Sequence, residues 1–292
     1  MNKAVALSRL VIQSADVSIK SSMVICHGLL GSKNNWKSIS NAFAQKNCGT
    51  IVTVDLRNHG SSPHSDYMNY FNMAEDIHMV VDDLRLRNVC LVGHSMGGKA
   101  VMCAALMKPE RYNKLVVFDI STTPKPTIQS LSPIINLMSS VDLKALGHKC
   151  NGNIGMVRNS LMKEWDKTIP NPTMRAFLLT NLGEKDGEIF WKANLNAIKS
   201  CWNQITGFPT ELKGLVFNQP VLFVAASDGK YLGQSDLPAV RKYFPQSKIV
   251  QIANTGHWVH FDAPNTVTNL ITSFMLDKSF DPTSFTDVTE IK

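Results

Sequence analysis

One serine sits in a setting suited to nucleophilic chemistry: Leu91-Val-Gly93-His94-Ser95-Met96-Gly97-Gly98-Lys99-Ala100. The run before it is apolar and strand-like, and the run after it has helical character. In a G-x-S-x-G turn the glycines, here Gly93 and Gly97, leave room where strand and helix nearly collide. The serine can then hold a strained backbone with its hydroxyl exposed at the top of the sheet. A serine hydroxyl is a poor nucleophile until a histidine takes its proton, and a carboxylate orients that histidine. The chemistry to look for is acyl transfer through a covalent intermediate.

In strand–turn–helix sites of this kind the partners follow along the chain in the order serine, acid, histidine. The expected base is His257, in Asn254-Thr-Gly256-His257-Trp-Val-His260, because Gly256 lets the loop bring the imidazole over Ser95. His260 is its rival. His27, His59 and His94 come too early in the chain and read as local hydrogen-bonding residues. The residues alone leave two acids open. Asp119 directly follows the apolar run Leu115 to Phe118, and Asp228 follows Val221 to Val224, although Asp228 before Gly229 also suits a plain turn. An oxyanion needs two backbone donors, expected to be the N–H groups of Met96 and of Leu29 in His27-Gly-Leu29-Leu-Gly31.

A phosphate-binding loop competes for the same residues, since Gly93-x-x-x-x-Gly98-Lys99 matches most of its pattern. That motif needs Ser or Thr next to hold Mg²⁺, and this chain has Ala100. Lys99 then reads as an ordinary helix residue.

The elements that must position these residues alternate between short apolar runs and helical periodicity. Met23–Cys26, Thr50–Val54, Asn88–Val92, Lys114–Phe118 and Pro220–Val224 are continuous apolar strands, as strands buried on both faces are. Val5 to Ile12 reads as a first strand. Met73, Ile77, Val80, Val81 and Leu84 repeat at helical spacing, as do Val267, Leu270, Ile271 and Phe274 after Pro264. The expected architecture is α/β, a mostly parallel central sheet with helices on both faces. From Ser121 to about Gly214 strand signals vanish and Pro-rich turns and helical pieces take over. We expect a core of residues 1–120 and 215–277, a helical lid insertion over 121–214, and a flexible polar tail over 278–292. Ile134, Leu137, Phe177, Leu178 and Trp191 are apolar residues of the lid, some expected to pack on the sheet edge and some to line an acyl slot above Ser95.

Composition narrows the class. The formal net charge of +7 is spread over isolated Lys and Arg residues, with no basic run that would mark nucleic acid. The 44% hydrophobic content suits a large core, and no apolar run approaches the roughly 18 residues of a membrane span. Six cysteines without metal or redox spacing read as reduced core thiols of an intracellular protein. No secretory signal is evident at the amino terminus.

Together these motifs identify a resemblance to the α/β-hydrolase superfamily. His27-Gly-Leu-Leu-Gly-Ser-Lys-Asn-Asn-Trp36, Val54-Asp-Leu-Arg-Asn-His-Gly-Ser-Ser-Pro-His64 and Gly93-His-Ser-Met-Gly-Gly-Lys99 carry it most specifically. Phe118-Asp-Ile-Ser121, Leu178-Leu-Thr-Asn-Leu182, Phe190-Trp-Lys-Ala-Asn-Leu195 and Gly256-His-Trp-Val-His260 extend it over nearly the whole chain. The narrower group they resemble comprises the α/β-hydrolase domain-containing protein eleven, small bacterial esterases and yeast ethanol acetyltransferases.

In that group the acid follows the sixth strand, which carries over to Asp119. One departure keeps Asp228 in view: relatives tend to have Gly-Gly-Asn-Ser where this chain has Ala226-Ser-Asp228-Gly. The resemblance implies a cofactor-free hydrolase of carboxylic and lipid acyl esters. It also implies a mitochondrial address, with the cytoplasm as alternative. An acyltransferase that passes the same acyl group to an alcohol is the nearest rival function. A non-catalytic binding or chaperone-like protein on the same fold is the rival of another class. The expected partner is a small-molecule acyl ester or lipid, with no nucleic acid and no membrane-spanning segment.

Overall fold

The structure is a computed structural model that describes residues 3–16, 18–276 and 279–292. Its sheet contains β1 (Arg9–Gln13), β2 (Ser22–Cys26), β3 (Thr50–Val54), β4 (Val89–His94) and β5 (Tyr112–Phe118). After a long excursion that carries a hairpin, β6 (Leu182–Lys185) and β7 (Glu188–Trp191), the sheet resumes with β8 (Val221–Ala226), β9 (Ser247–Ile252) and β10 (Val288–Glu290). The order is β1-β3-β2-β4-β5-β8-β9-β10. All neighbours pair in parallel except β1 with β3 and β10 with β9, at the two edges.

The inner strands are apolar because both of their faces are covered. β2, β4 and β8 are buried at every position. One face packs against α2 (Tyr70–Asp83), α3 (Met96–Met107) and the excursion, in a cluster that includes Val24, Leu91, Val117 and Phe223. The other face carries Ile25, Val92, Phe118 and Val224 against α1 (Lys37–Gln45) and the helix Pro264–Leu276. α2 starts where the Asn69 side chain accepts the Asn72 N–H, which supplies a partner to an amide that a helix start leaves open. α3 ends at Met107, before Pro109.

Three expectations need correction. The first strand is Arg9–Gln13, shifted towards the carboxyl side of Val5–Ile12, because the Val5 amide turns aside to Asp76 Oδ1 at 2.7 Å. The excursion is not wholly helical. Asp186 and Gly187, with φ of 53° and 79°, form the tight turn of the β6–β7 hairpin. An Asp-Gly pair is a strong hairpin signal, and here it outweighs the helical character around it. The tail is not loose either, since β10 pairs with β9 from Val288↔Ile252 to Glu290↔Val250 and Phe280 and Val288 are buried. The expected boundary between Asp277 and Lys278 lies outside the described residues.

Candidate active site

Ser95 stands between the end of β4 and the start of α3 with φ 53° and ψ −117°, a backbone state that non-glycine residues rarely hold. The flanking glycines explain how the turn closes. A Cβ on Gly93 would lie 2.4 Å from the Gly97 carbonyl oxygen, and one on Gly97 would lie 2.4 Å from that of His27. Strand and helix cannot approach this closely with side chains present. The Ser95 N–H donates to the Phe118 carbonyl at 3.0 Å, which binds the turn to the end of β5.

Asp119 follows that same strand end. His94 pairs with Phe118 and Phe118 with Val224, so Ser95 and Asp119 emerge side by side at the carboxyl edge of the sheet. α/β folds place their ligand sites at this edge. Asp119 is fully buried, and its Oδ1 accepts the Ala226 N–H at 3.0 Å. Oδ2 accepts from Nδ1 of His257 at 2.7 Å, and Nε2 of His257 faces the Ser95 Oγ at 3.1 Å. A carboxylate only accepts hydrogen bonds, so the imidazole proton lies on Nδ1 and Nε2 is left to take the hydroxyl proton.

His257 arrives on the loop after β9. The Gly256 N–H donates to Asp262 Oδ2 at 2.8 Å, and the Nε2–H of His94 donates to the His257 carbonyl at 2.8 Å. Burial and the neighbouring His257 and His260 hold His94 well below the usual histidine range, so it serves as a neutral donor. His260 does not reach Ser95. It is buried against Trp36, ring centroids 4.1 Å apart, and burial pushes its imidazole down to about 3. Asp228 stands apart as well, with Oδ2 3.4 Å from the Lys230 ammonium.

Leu29 and Met96, the expected oxyanion donors, flank Ser95 from the β2 loop and from the first residue of α3. Neither amide hydrogen bonds to a loop or side-chain acceptor among the described residues. The β2 loop is braced beneath. His27 donates from Nδ1 to the Gly28 carbonyl at 2.7 Å and accepts the Leu56 N–H on Nε2 at 3.0 Å. Asn181, buried and on the excursion, donates to the Leu30 carbonyl at 2.8 Å. The sequence assigns Asn181 no role, because nothing local reveals a partner 151 residues away.

Lys99 is not an ordinary helix residue. It is almost completely buried and burial pushes its ammonium down to about 8. It donates to the carbonyls of Thr206 and Gly207 at 2.8 and 2.9 Å, and the Tyr70 hydroxyl donates to that of Ile205. These side chains satisfy the open carbonyls at the end of the helix Trp202–Thr206.

Ser95 and His257 open into a cavity of about 740 Å³, lined by Ile134, Met174, Phe177, Leu178, Trp258 and Phe261 among others. Phe177 packs on Trp258, ring centroids 5.1 Å apart, so the excursion touches the loop of His257. Of the five apolar lid residues singled out in the sequence, Ile134, Phe177 and Leu178 line it, whereas Leu137 and Trp191 do not. The Trp191 indole instead donates to the Met138 carbonyl at 3.0 Å and stacks on Trp165. Among the described residues no cluster of His, Cys, Asp or Glu could hold a metal ion, and no helix is long and apolar enough to cross a membrane.

Residues 22–142 match the alpha/beta hydrolase fold family. The sn-1-specific diacylglycerol lipase ABHD11 of Mus musculus is 35% identical over 254 residues, covering 87% of this chain and 80% of the mouse protein. The chain belongs to the α/β-hydrolase family. Ethanol acetyltransferase 1 of Kluyveromyces marxianus is 28% identical to it, over 86% of this chain and 73% of that one. Among solved structures, a marine microorganism esterase superposes with a TM-score of 0.82 at 30% identity, covering 93% of this α/β-hydrolase and 100% of the esterase.

Proposed function

We propose that this carboxylic ester hydrolase cleaves acyl esters, lipid esters among them, through an acyl-enzyme on Ser95. The hydroxyl attacks the ester carbonyl while Nε2 of His257 takes its proton, and the Leu29 and Met96 amides hold the oxyanion. The tetrahedral species collapses as His257 protonates the departing alkoxide. Water then gives a proton to His257 and attacks the acyl carbon, and the second tetrahedral species collapses as His257 returns that proton to the Ser95 oxygen, which releases the acid and restores the hydroxyl. Asp119 keeps the Nδ1–H tautomer throughout.

The observation that carries this reading is the hydrogen-bond chain Ser95–His257–Asp119 at the wall of the apolar cavity. Apolar lining favours an acyl chain over a polar acyl group. The similarity to a diacylglycerol lipase supports lipid esters as a substrate class. We read residues 121–214 as a lid whose inner face selects the acyl group, and the mitochondrion as the compartment by resemblance, which fractionation of cells making the full chain tests.

A screen of p-nitrophenyl esters of rising chain length beside diacylglycerol tests the substrate class, and failure to hydrolyse any of them contradicts it. A second reading is favoured by the similarity to an ethanol acetyltransferase: an alcohol intercepts the acyl-enzyme in place of water. Added ethanol would then divert product from free acid to ethyl ester.

A further inference from the structure

Tyr231 lies on the loop after β8, and the sequence gives no sign of a role for it. Its ring centroid stands 4.0 Å from that of His257, with the planes 31° apart. It also lines two cavities, the 740 Å³ chamber and a second one of about 20 Å³, which share Leu29, Ser95, Leu131 and Tyr231. The small chamber holds little more than one water-sized group. Its remaining walls include Met96, Ile120, Ile128 and Trp202, with Lys99 and Tyr70 at the end where their polar heads serve the helix Trp202–Thr206.

The His257 imidazole needs more than its bond to Asp119. Its side chain is a quarter exposed and sits on a loop; Asp119 holds it at Nδ1, the His94 ring lies 4.6 Å to one side, and at Nε2 its partner is the Ser95 hydroxyl, which leaves during the reaction. A pivot that carries Nε2 away from the Ser95 Oγ breaks the proton path, and reacting groups displaced by about 1 Å can lose ~100-fold in rate. The aromatic face of Tyr231 restrains that pivot at the cost of few rotatable bonds of its own. The same residue borders both chambers, together with Leu29, Ser95 and Leu131.

We propose that Tyr231 is the positioning residue that holds the His257 ring between Asp119 and Ser95, and the wall that limits one arm of the ester to the small chamber. The proposal rests on the reading of Ser95 and His257 as nucleophile and base. An ester bound here has unequal arms, a longer one in the large chamber and a short one beside Met96.

The test compares wild-type protein with Tyr231→Leu, Tyr231→Phe and Tyr231→Ala, by steady-state kinetics on short and long esters and by proton NMR of the His257 Nδ1–H. Leu keeps an apolar wall but not a flat face. Its kcat should fall about 10- to 100-fold with KM nearly unchanged, and the downfield N–H signal should broaden into exchange. Phe should rescue both, and Ala should join the chambers and shift preference towards a longer short arm. Wild-type kcat and an intact N–H signal in the Leu variant would overturn the positioning role, as would lost kcat with an unaltered signal. An unchanged chain-length profile in the Ala variant would overturn the wall. If wild-type protein hydrolyses no ester, the acyl-enzyme reading fails, while the N–H signal still decides whether Tyr231 holds the ring.

Discussion

Oδ2 of Asp119 accepts a hydrogen bond from Nδ1 of His257 at 2.7 Å, across 138 residues of chain. The contact exists because β5 ends beside β4 and the loop after β9 folds back over both. It predicts that Asp119→Asn cripples kcat, by about 10⁴-fold in a protease with the equivalent change, because an amide can hold the wrong imidazole tautomer. Asp228→Asn removes only an exposed contact to Lys230 and should leave kcat within a few-fold of wild type. Purified variants with equal melting behaviour, compared at neutral pH, decide this. A dead Asp228→Asn and an active Asp119→Asn would reverse the assignment.

The lining of the large chamber predicts which residues of the excursion set substrate choice. Ile134→Ala and Phe177→Ala should shift the preferred acyl length, since both line the cavity. Trp191→Ala should leave that profile in place and lower stability by ~3 kcal/mol, because the ring packs on Trp165 away from the slot. Chain-length profiles and urea denaturation of the three variants separate the two behaviours.

The loop that follows β3 depends on a buried ion pair. Arg57 donates from Nε and one terminal nitrogen to the two oxygens of Asp76, both at 2.7 Å and out of reach of solvent. Burial outweighs the guanidinium and holds the Asp76 carboxyl above its ordinary range. Arg57→Met should therefore cost about 3–5 kcal/mol by stranding a buried carboxylate. Replacing Asp76 by Leu in the same chain should restore much of the loss. Urea midpoints measure both, and additive losses in the double variant would contradict the account.

Acid stability follows from the buried histidines. Burial holds His59 and His260 down to about 3, so both stay neutral in the folded chain while the unfolded chain protonates near 6.5. The unfolded state then binds more protons than the folded one, and stability falls as pH drops from about 6.5 towards 3. Each histidine contributes up to ~1.4 kcal/mol per pH unit in that window. Asp236, held below its ordinary range despite burial by Lys125, Thr123 and the Gly233 amide, adds to the loss only below about 4. Urea midpoints that stay constant from pH 7 to pH 5 would contradict this.

Much of this was legible in residue order, and for stated reasons. Strands buried on both faces advertise themselves as unbroken apolar runs, and a strained serine needs small neighbours, so β4, Ser95 and its glycines stand out. His257 follows from a glycine placed before it on a late loop. What escaped depends on distance along the chain. Lys99 resembles any helix lysine until Thr206 and Gly207 are seen beside it, and Asn181 resembles any loop asparagine until Leu30 is. Tyr231 reaches His257 only because two loops meet over the sheet edge. The β6–β7 hairpin is different, since Asp186-Gly187 signalled it locally and the surrounding helical pieces masked the signal. β10 was hidden by polar residues, which an edge strand with one exposed side tolerates.

The central claim is that Ser95 becomes acylated during turnover. Intact-mass measurement after rapid acid quench with a p-nitrophenyl ester reads this directly. Wild-type protein should gain the mass of one acyl group, mapped by peptide fragmentation to Ser95, and Ser95→Ala should gain none while keeping its native circular dichroism. An acyl group on another residue, or ester turnover by pure Ser95→Ala at a rate near wild type, would contradict the account.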